Sequence, residues 1–243
     1  LILINQFGVK SFYPFQKAPT KQCVFEHIYF SRPDSYLFGH SVYSTRKLMG
    51  KALAREKPVE ADVVVPVPDS GVISAMGYSE EAKIPFQMGL IRNHYVGRTF
   101  IEPQSQIRNF GVKIKLNAVR PVIKGKRVII IDDSIVRGTT SKKIVRMLRE
   151  VGAKEVHVRI SSPPTTHSCF YGIDTPTKGE LIASNLDIDQ TCEYLGADSL
   201  HYITLEKMLE IFGEQKDDFC AACFDGRCPV DVTGSDGSTK QLG

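Results

Sequence analysis

Four consecutive β-branched residues, Val128-Ile129-Ile130-Ile131, run straight into a pair of aspartates, Asp132-Asp133. A short apolar run without polar alternation suits a strand buried on both faces. Such strands belong to parallel sheets covered by helices. The flanking pattern agrees. Asp132 to Thr140 is a polar turn. Residues 141–151 put Ile144, Val145, Leu148 and Val151 on one helical face, and Gly152 supplies a stop tolerant of positive φ. Residues 156–160 are the next strand. An earlier stretch has the same order: a strand over 62–68, a turn at Asp69-Ser70-Gly71, a helix over 72–83 and a strand over 84–91. Before it, residues 41–56 read as a helix with an apolar stripe of Val42, Leu48, Met49, Ala52 and Leu53. Two βαβ units predict an α/β fold, with a mainly parallel sheet flanked by helices and joined by right-handed crossovers. Residues 204–212 read as a short helix near the end.

Composition narrows the function classes. The 243 residues are 42% apolar and 24% charged, ordinary values for a packed domain. A net charge of +4 is mild and dispersed, which argues against a nucleic-acid partner. No stretch reaches the roughly 18 apolar residues of a membrane helix. No basic start leads into a signal-peptide core, so the expected compartment is the cytosol. The chain opens on Leu1-Ile2-Leu3-Ile4, which reads as a strand entered in mid-course, so a preceding part is expected. Six cysteines in a cytosolic chain favour metal or redox chemistry over disulfides. The six histidines show no ligand spacing. Residues 93–120 carry Arg98, Arg108, Lys113, Lys115 and Arg120 among Gly97, Pro103 and Gly111 without periodicity, so a long basic loop is expected. Residues 231–243, rich in Gly, Ser, Asp and Thr, are expected to be disordered.

The acidic pair sits where a buried strand reaches its C-terminal edge, the edge at which open α/β sheets bind ligands. Adjacent carboxylates repel, so the pair calls for a cation or a polyol. Arg137-Gly138-Thr139-Thr140-Ser141 then leads into a helix N-terminus. Small residues there let backbone N–H groups turn toward a phosphate, and the helix dipole favours the anion. One bend therefore offers a polyol or metal site at one end and a monophosphate site at the other. An acidic N-cap is the plainer reading. It accounts for one Asp and one Thr, but not for two Asp, an Arg and three successive hydroxyl residues.

This stretch resembles the phosphoribosyl pyrophosphate (PRPP) signature of type I phosphoribosyltransferases. Further blocks are similar to glutamine PRPP amidotransferases: residues 23–35, Pro66-Val67-Pro68-Asp69-Ser70-Gly71, Gly97-Arg98-Thr99-Phe100-Ile101 and Lys115-Leu116-Asn117-Ala118-Val119-Arg120. The resemblance implies a type I phosphoribosyltransferase fold. It implies that Asp132 and Asp133 hold the ribose hydroxyls beside Ser134, with Mg2+ close to Ser70 and both aspartates. Arg137, Gly138, Thr139, Thr140 and Ser141 would cradle the 5-phosphate. The loop at 97–120 would be a flap whose Arg98, Arg108 and Lys115 meet the departing pyrophosphate. The implied reaction is displacement at the anomeric carbon by ammonia, giving 5-phosphoribosylamine, with no side-chain nucleophile. The implied divisions are 1–35, a β-rich linker from a glutaminase domain not included; 36–203, the phosphoribosyltransferase domain; 204–230, a helix and CxxC segment; and the tail. The full-length protein would draw its ammonia from glutamine and form a homo-oligomer.

Cys220-Ala221-Ala222-Cys223 is by itself compatible with zinc, redox or iron–sulfur chemistry. In one branch of the resembled family, cysteines in the contexts of Cys23, Cys169, Cys220 and Cys223 resemble the ligands of a structural [4Fe–4S] cluster. Cys228 follows closely enough to replace one of them, and Cys192 reads as a core thiol. Three readings compete with the amidotransferase, and against one of them, an inactive remnant, the intact motifs weigh. A nucleobase salvage phosphoribosyltransferase would keep the signature but gives no reason for the cysteine set. A non-catalytic PRPP sensor would need a DNA-binding module, and no helix-turn-helix pattern is visible.

Overall fold

The computed structural model describes residues 1–93 and 116–230. Four parallel strands form the central sheet: β1 (Val63–Pro66), β2 (Arg127–Asp132), β3 (Glu155–Ile160) and β4 (Ser199–Tyr202), in spatial order β4-β3-β2-β1. Helices cover both faces. Val64, Ile129 and Ile131 pack with Met49 and Leu53 of α1 (Val42–Glu56) and Ala75 and Tyr78 of α2 (Val72–Ala82). Val63, Val65, Val128 and Ile130 pack on the other face with Ile144, Val145 and Leu148 of α3 (Thr139–Val151), joined by Leu195 of α4 (Ile188–Leu195). Neighbours along each strand thus enter opposite cores, and that is why the runs are unbroken rather than alternating. Each fully buried Val, Leu or Ile contributes roughly 1.5–3 kcal/mol.

The register sets the functional edge. Pro66 lies beside Ile131, and Asp132 beside Ile160. Val67 N–H donates to Ile131 O at 2.8 Å and Ser161 N–H to Asp132 O at 3.0 Å. The segments after β1, β2 and β3 therefore leave the sheet side by side.

Four expectations change. The strand expected over 84–91 is reduced to a bridge from Val64 to Phe86 and a short strand, Leu90–Arg92, antiparallel to Leu116–Ala118. Pro85 has no N–H to give to a ladder, and Gly89 interrupts what remains. Within residues 1–35, Glu26–Phe30 is a π-helical turn rather than a strand. It is clipped to α1 by Arg46, whose guanidinium donates to His27 O at 2.9 Å and Ser31 O at 2.8 Å. Leu48 faces solvent, and Arg46 stands in the buried stripe of α1 instead. The helix expected over 204–212 spans Leu205–Glu210, capped by Thr204. The basic loop and the tail lie, from residue 94 to 115 and from 231 onward, outside the described residues. At the other end Ile2–Asn5 and Gly8–Ser11 form a fully exposed hairpin. Among the described residues no helix is long and apolar enough to cross a membrane.

Candidate active site

Asp132 ends β2, and Asp133 begins the bend. Asp133 is only 6% exposed. Its N–H donates to Asp132 Oδ1 at 2.9 Å, and its own Oδ1 accepts the Ser134 hydroxyl at 2.6 Å. The Ser70 hydroxyl, from the turn after β1, faces the Asp133 carboxylate and favours its charged form. Burial raises the Asp132 carboxyl well above the usual range, and repulsion from Asp133 adds to this. Burial raises Asp133 too, opposed by Ser134, Ser70 and the Arg46 guanidinium. The fold thus confines two acids in a half-buried edge, with the Ser134 and Ser70 hydroxyls turned on Asp133. Such a pair gains from any cation or polyol that takes up its negative charge.

The bend continues through Ile135, which is buried, to Gly138 at φ +74°. That conformation is cheap only for glycine. It turns the chain into α3, whose first bond runs from Lys142 N–H to Gly138 O at 2.9 Å. The N–H groups of Thr139, Thr140 and Ser141 precede that bond and have no intrahelical acceptor. No side chain caps α3, so these donors line the bend. The Arg137 guanidinium lies instead on Glu180, at 2.9 and 3.1 Å from Oε1. A β-carbon on Gly138 would stand 2.6 Å from Ile182 Cδ1 and 3.2 Å from Tyr194 Cε1. Gly138→Ala is therefore expected to lose about 2–3 kcal/mol of unfolding free energy in urea, from φ strain and overpacking together.

The cysteines assemble separately. Gln22–Cys23 pairs in parallel with Phe219–Cys220, which sets Cys23 beside Cys220. Cys23, Cys169, Cys220 and Cys223 line one cavity, with Phe25, Val136, Ile173 and Ala222 among its apolar walls. Burial pushes the Cys223 thiol well up, and Cys23, Cys169 and Cys220 push further. Among the described residues, no three His, Cys, Asp or Glu side chains lie close enough to hold one metal ion. Cys228 is not in the cavity lining but lies against the hydroxyl of Tyr171, which is. Val136 belongs to the bend after Asp133, so the cavity and the bend share a residue.

Residues 43–161 match the family model of the phosphoribosyl transferase domain. The chain is 55% identical to amidophosphoribosyltransferase 1, chloroplastic, of Arabidopsis thaliana over 96% of its own length and 41% of that protein. It is 52% identical to the amidophosphoribosyltransferase of Bacillus subtilis over 96% of its length and 50% of that protein. A solved structure titled glutamine PRPP amidotransferase from B. subtilis complexed with ADP and GMP superposes with a TM-score of 0.85 at 51% identity. It is covered over 52% of its length by 95% of this chain. The chain carries a phosphoribosyltransferase domain and is similar to amidophosphoribosyltransferases over nearly its whole length. It spans about half the length of the relatives it matches, and its fold is that of a type I phosphoribosyltransferase. The amidophosphoribosyltransferase likeness covers the cavity as well as the acidic bend. The domain match by itself ends at residue 161 and leaves out Cys23, Cys169, Cys220 and Cys223.

Two features of the site were not singled out from sequence. Arg46 places a buried cation toward Asp133. A charge at i+4 from Val42 and i−3 from Met49, within an apolar stripe, was the available signal. Glu180, the partner of Arg137, gave none.

Proposed function

We propose that this chain carries the phosphoribosyl-transfer step of an amidophosphoribosyltransferase. Ammonia displaces pyrophosphate from PRPP and 5-phosphoribosylamine forms. The observation that carries this reading is the Asp132-Asp133 pair, with Asp132 half-buried and Asp133 buried, placed one bend before the open N–H groups of α3. Asp132 and Asp133 accept from the ribose hydroxyls, with Ser134 holding Asp133 in place. Arg137, through its backbone, and Gly138, Thr139, Thr140 and Ser141 surround the 5-phosphate. The fit to magnesium rests on oxygen donors, since a hard cation takes carboxylate and hydroxyl oxygens. Ser70, Asp132 and Asp133 supply these, and the cation would neutralise the pyrophosphate charge as it leaves. Arg98, Arg108 and Lys115 are proposed to do the same from the flap. Positioning and electrostatics are enough for such a displacement.

In the full-length protein the ammonia would come from glutamine, hydrolysed by a glutaminase domain within a homo-oligomer. The cytosol is the proposed compartment, and the plant relatives' names add the chloroplast. The divisions at 1–35, 36–203, 204–230 and 231–243 are kept as proposed units. The deciding assay incubates the chain with PRPP, magnesium and ammonium and measures pyrophosphate. Ammonium-dependent release is expected. Release that depends on adenine, guanine or orotate would assign nucleobase salvage instead, and binding without turnover would assign a sensor.

The four thiols are proposed to hold a [4Fe–4S] cluster. They are spread around a cavity wall instead of converging on a point, which suits a polynuclear group better than a single zinc. N–H donors at the sulfurs favour bound thiolates: Tyr171 N–H lies 3.3 Å from Cys169 Sγ, and the N–H groups of Phe25 and Glu26 face Cys23. When bound, the group would cross-link segments far apart in sequence, with Cys228 outside the ligand set. An anaerobic preparation is expected to be brown and to contain iron and sulfide, both lost in Cys223→Ser. A colourless protein with zinc contradicts the cluster.

A further inference from the structure

One side chain in the wall of the thiol cavity has no partner. Thr165 is 2% exposed, lines the cavity, and its hydroxyl makes no hydrogen bond among the described residues. A buried hydroxyl left unpaired costs about 1–3 kcal/mol. The polar groups beside it are all satisfied. The Thr166 hydroxyl donates to Phe224 O at 2.7 Å, and the N–H groups of Thr166 and His167 both reach Cys223 O at 3.0 Å. These bonds fasten the segment to the Cys223 turn and leave Thr165 in the cavity wall, where the other hydroxyl residues, Thr175 and Tyr171, already have partners in Cys169 N–H and Val230 O.

We infer that the Thr165 hydroxyl donates a hydrogen bond to a sulfur of the group held by Cys23, Cys169, Cys220 and Cys223, and that it raises the reduction potential of that group. The inference rests on the cluster reading given above. Hydrogen bonds to cluster sulfurs favour the reduced, more negative state, so each donor moves the potential upward. Thr165 is a positioning and tuning residue.

The test compares the anaerobically purified chain with Thr165→Val and Thr165→Ser. Iron and sulfide are counted, and the potential is measured by redox titration. All three proteins are expected to hold iron and sulfide. Thr165→Val should titrate at a lower potential, while Thr165→Ser, which keeps the hydroxyl, should stay with the wild type. Loss of the cluster from Thr165→Val alone supports the same donor as one needed for assembly. A Thr165→Val potential equal to wild type overturns the proposal with the cluster intact. So does an equal displacement of both variants, which would point to packing. A wild-type chain without iron and sulfide overturns the cluster reading itself, and this inference with it.

Discussion

Asp132→Asn and Asp133→Asn are each expected to lower kcat/KM for PRPP by roughly 10- to 150-fold while making the ligand-free chain more resistant to heat. The first effect follows from the strength of a hydrogen bond to a charged group, about 1.5–3 kcal/mol, converted at about 1.4 kcal/mol per tenfold. The second comes from the same electrostatics with no ligand bound. Both carboxyls are held above their ordinary range, chiefly by burial and, for Asp132, also by the neighbouring charge. The folded chain therefore holds these protons more tightly than the unfolded chain. Their contribution to stability is fully present below about pH 4, where the unfolded carboxylates titrate, and is lost as pH rises through the folded values. An asparagine loses nothing over that range. The melting-temperature advantage of either variant should widen as pH rises from about 4, the unfolded carboxylate value, through the folded values. Steady-state kinetics and a series of thermal melts from about pH 4 upward check both halves. Variants that kept full activity would remove the aspartates from the site.

Gly50→Ala is expected to have the largest effect on stability. The methyl would lie 1.9 Å from Ser74 O and 2.9 Å from Tyr78 N, all backbone, so no side chain can swing aside. The contact is reciprocal, because a β-carbon on Gly77 would meet Lys47 O at 2.0 Å. Helices α1 and α2 touch backbone to backbone here, and the added methyl must push them apart. Met49, Leu53, Ala75 and Tyr78 pack in the core between these helices and the sheet, so their contacts loosen together. Overpacking costs about 1–3 kcal/mol and occasionally more. A loss near 3 kcal/mol corresponds to a melting temperature lower by about 6–12 °C in a chain of this size. Urea denaturation would read it directly, and a change below about 0.5 kcal/mol would contradict the close approach.

The parts legible in the sequence are those whose physics is local. Val63 to Val65 and Val128 to Ile131 announce buried strands because both of their faces must be apolar. The acidic pair and the hydroxyl residues after it announce a polar edge because nothing else places two carboxylates after such a strand. The parts that were hidden depend on distant partners. Arg46 looks like a surface cation until the 26–30 turn is folded over it. Nothing near Arg137 announces Glu180, which arrives from a later segment and takes its guanidinium. Residues 84–91 look continuous on composition alone, and only Pro85 and Gly89 reveal the break. The cysteine set was named through resemblance, whereas the cavity that gathers it forms by a two-residue pairing between the ends of the described chain. Thr165 carries no local signal at all.

The central claim is that the bend between β2 and α3 grips a sugar phosphate, acids toward the ring and helix N-terminus toward the phosphoryl group. A crystal structure with ribose 5-phosphate and magnesium tests it most directly. The expected result is a phosphate within hydrogen-bonding distance of the Thr139, Thr140 and Ser141 N–H groups, with the ribose hydroxyls on Asp132 and Asp133. A phosphate held elsewhere, or a ribose that leaves both aspartates untouched, would contradict the claim.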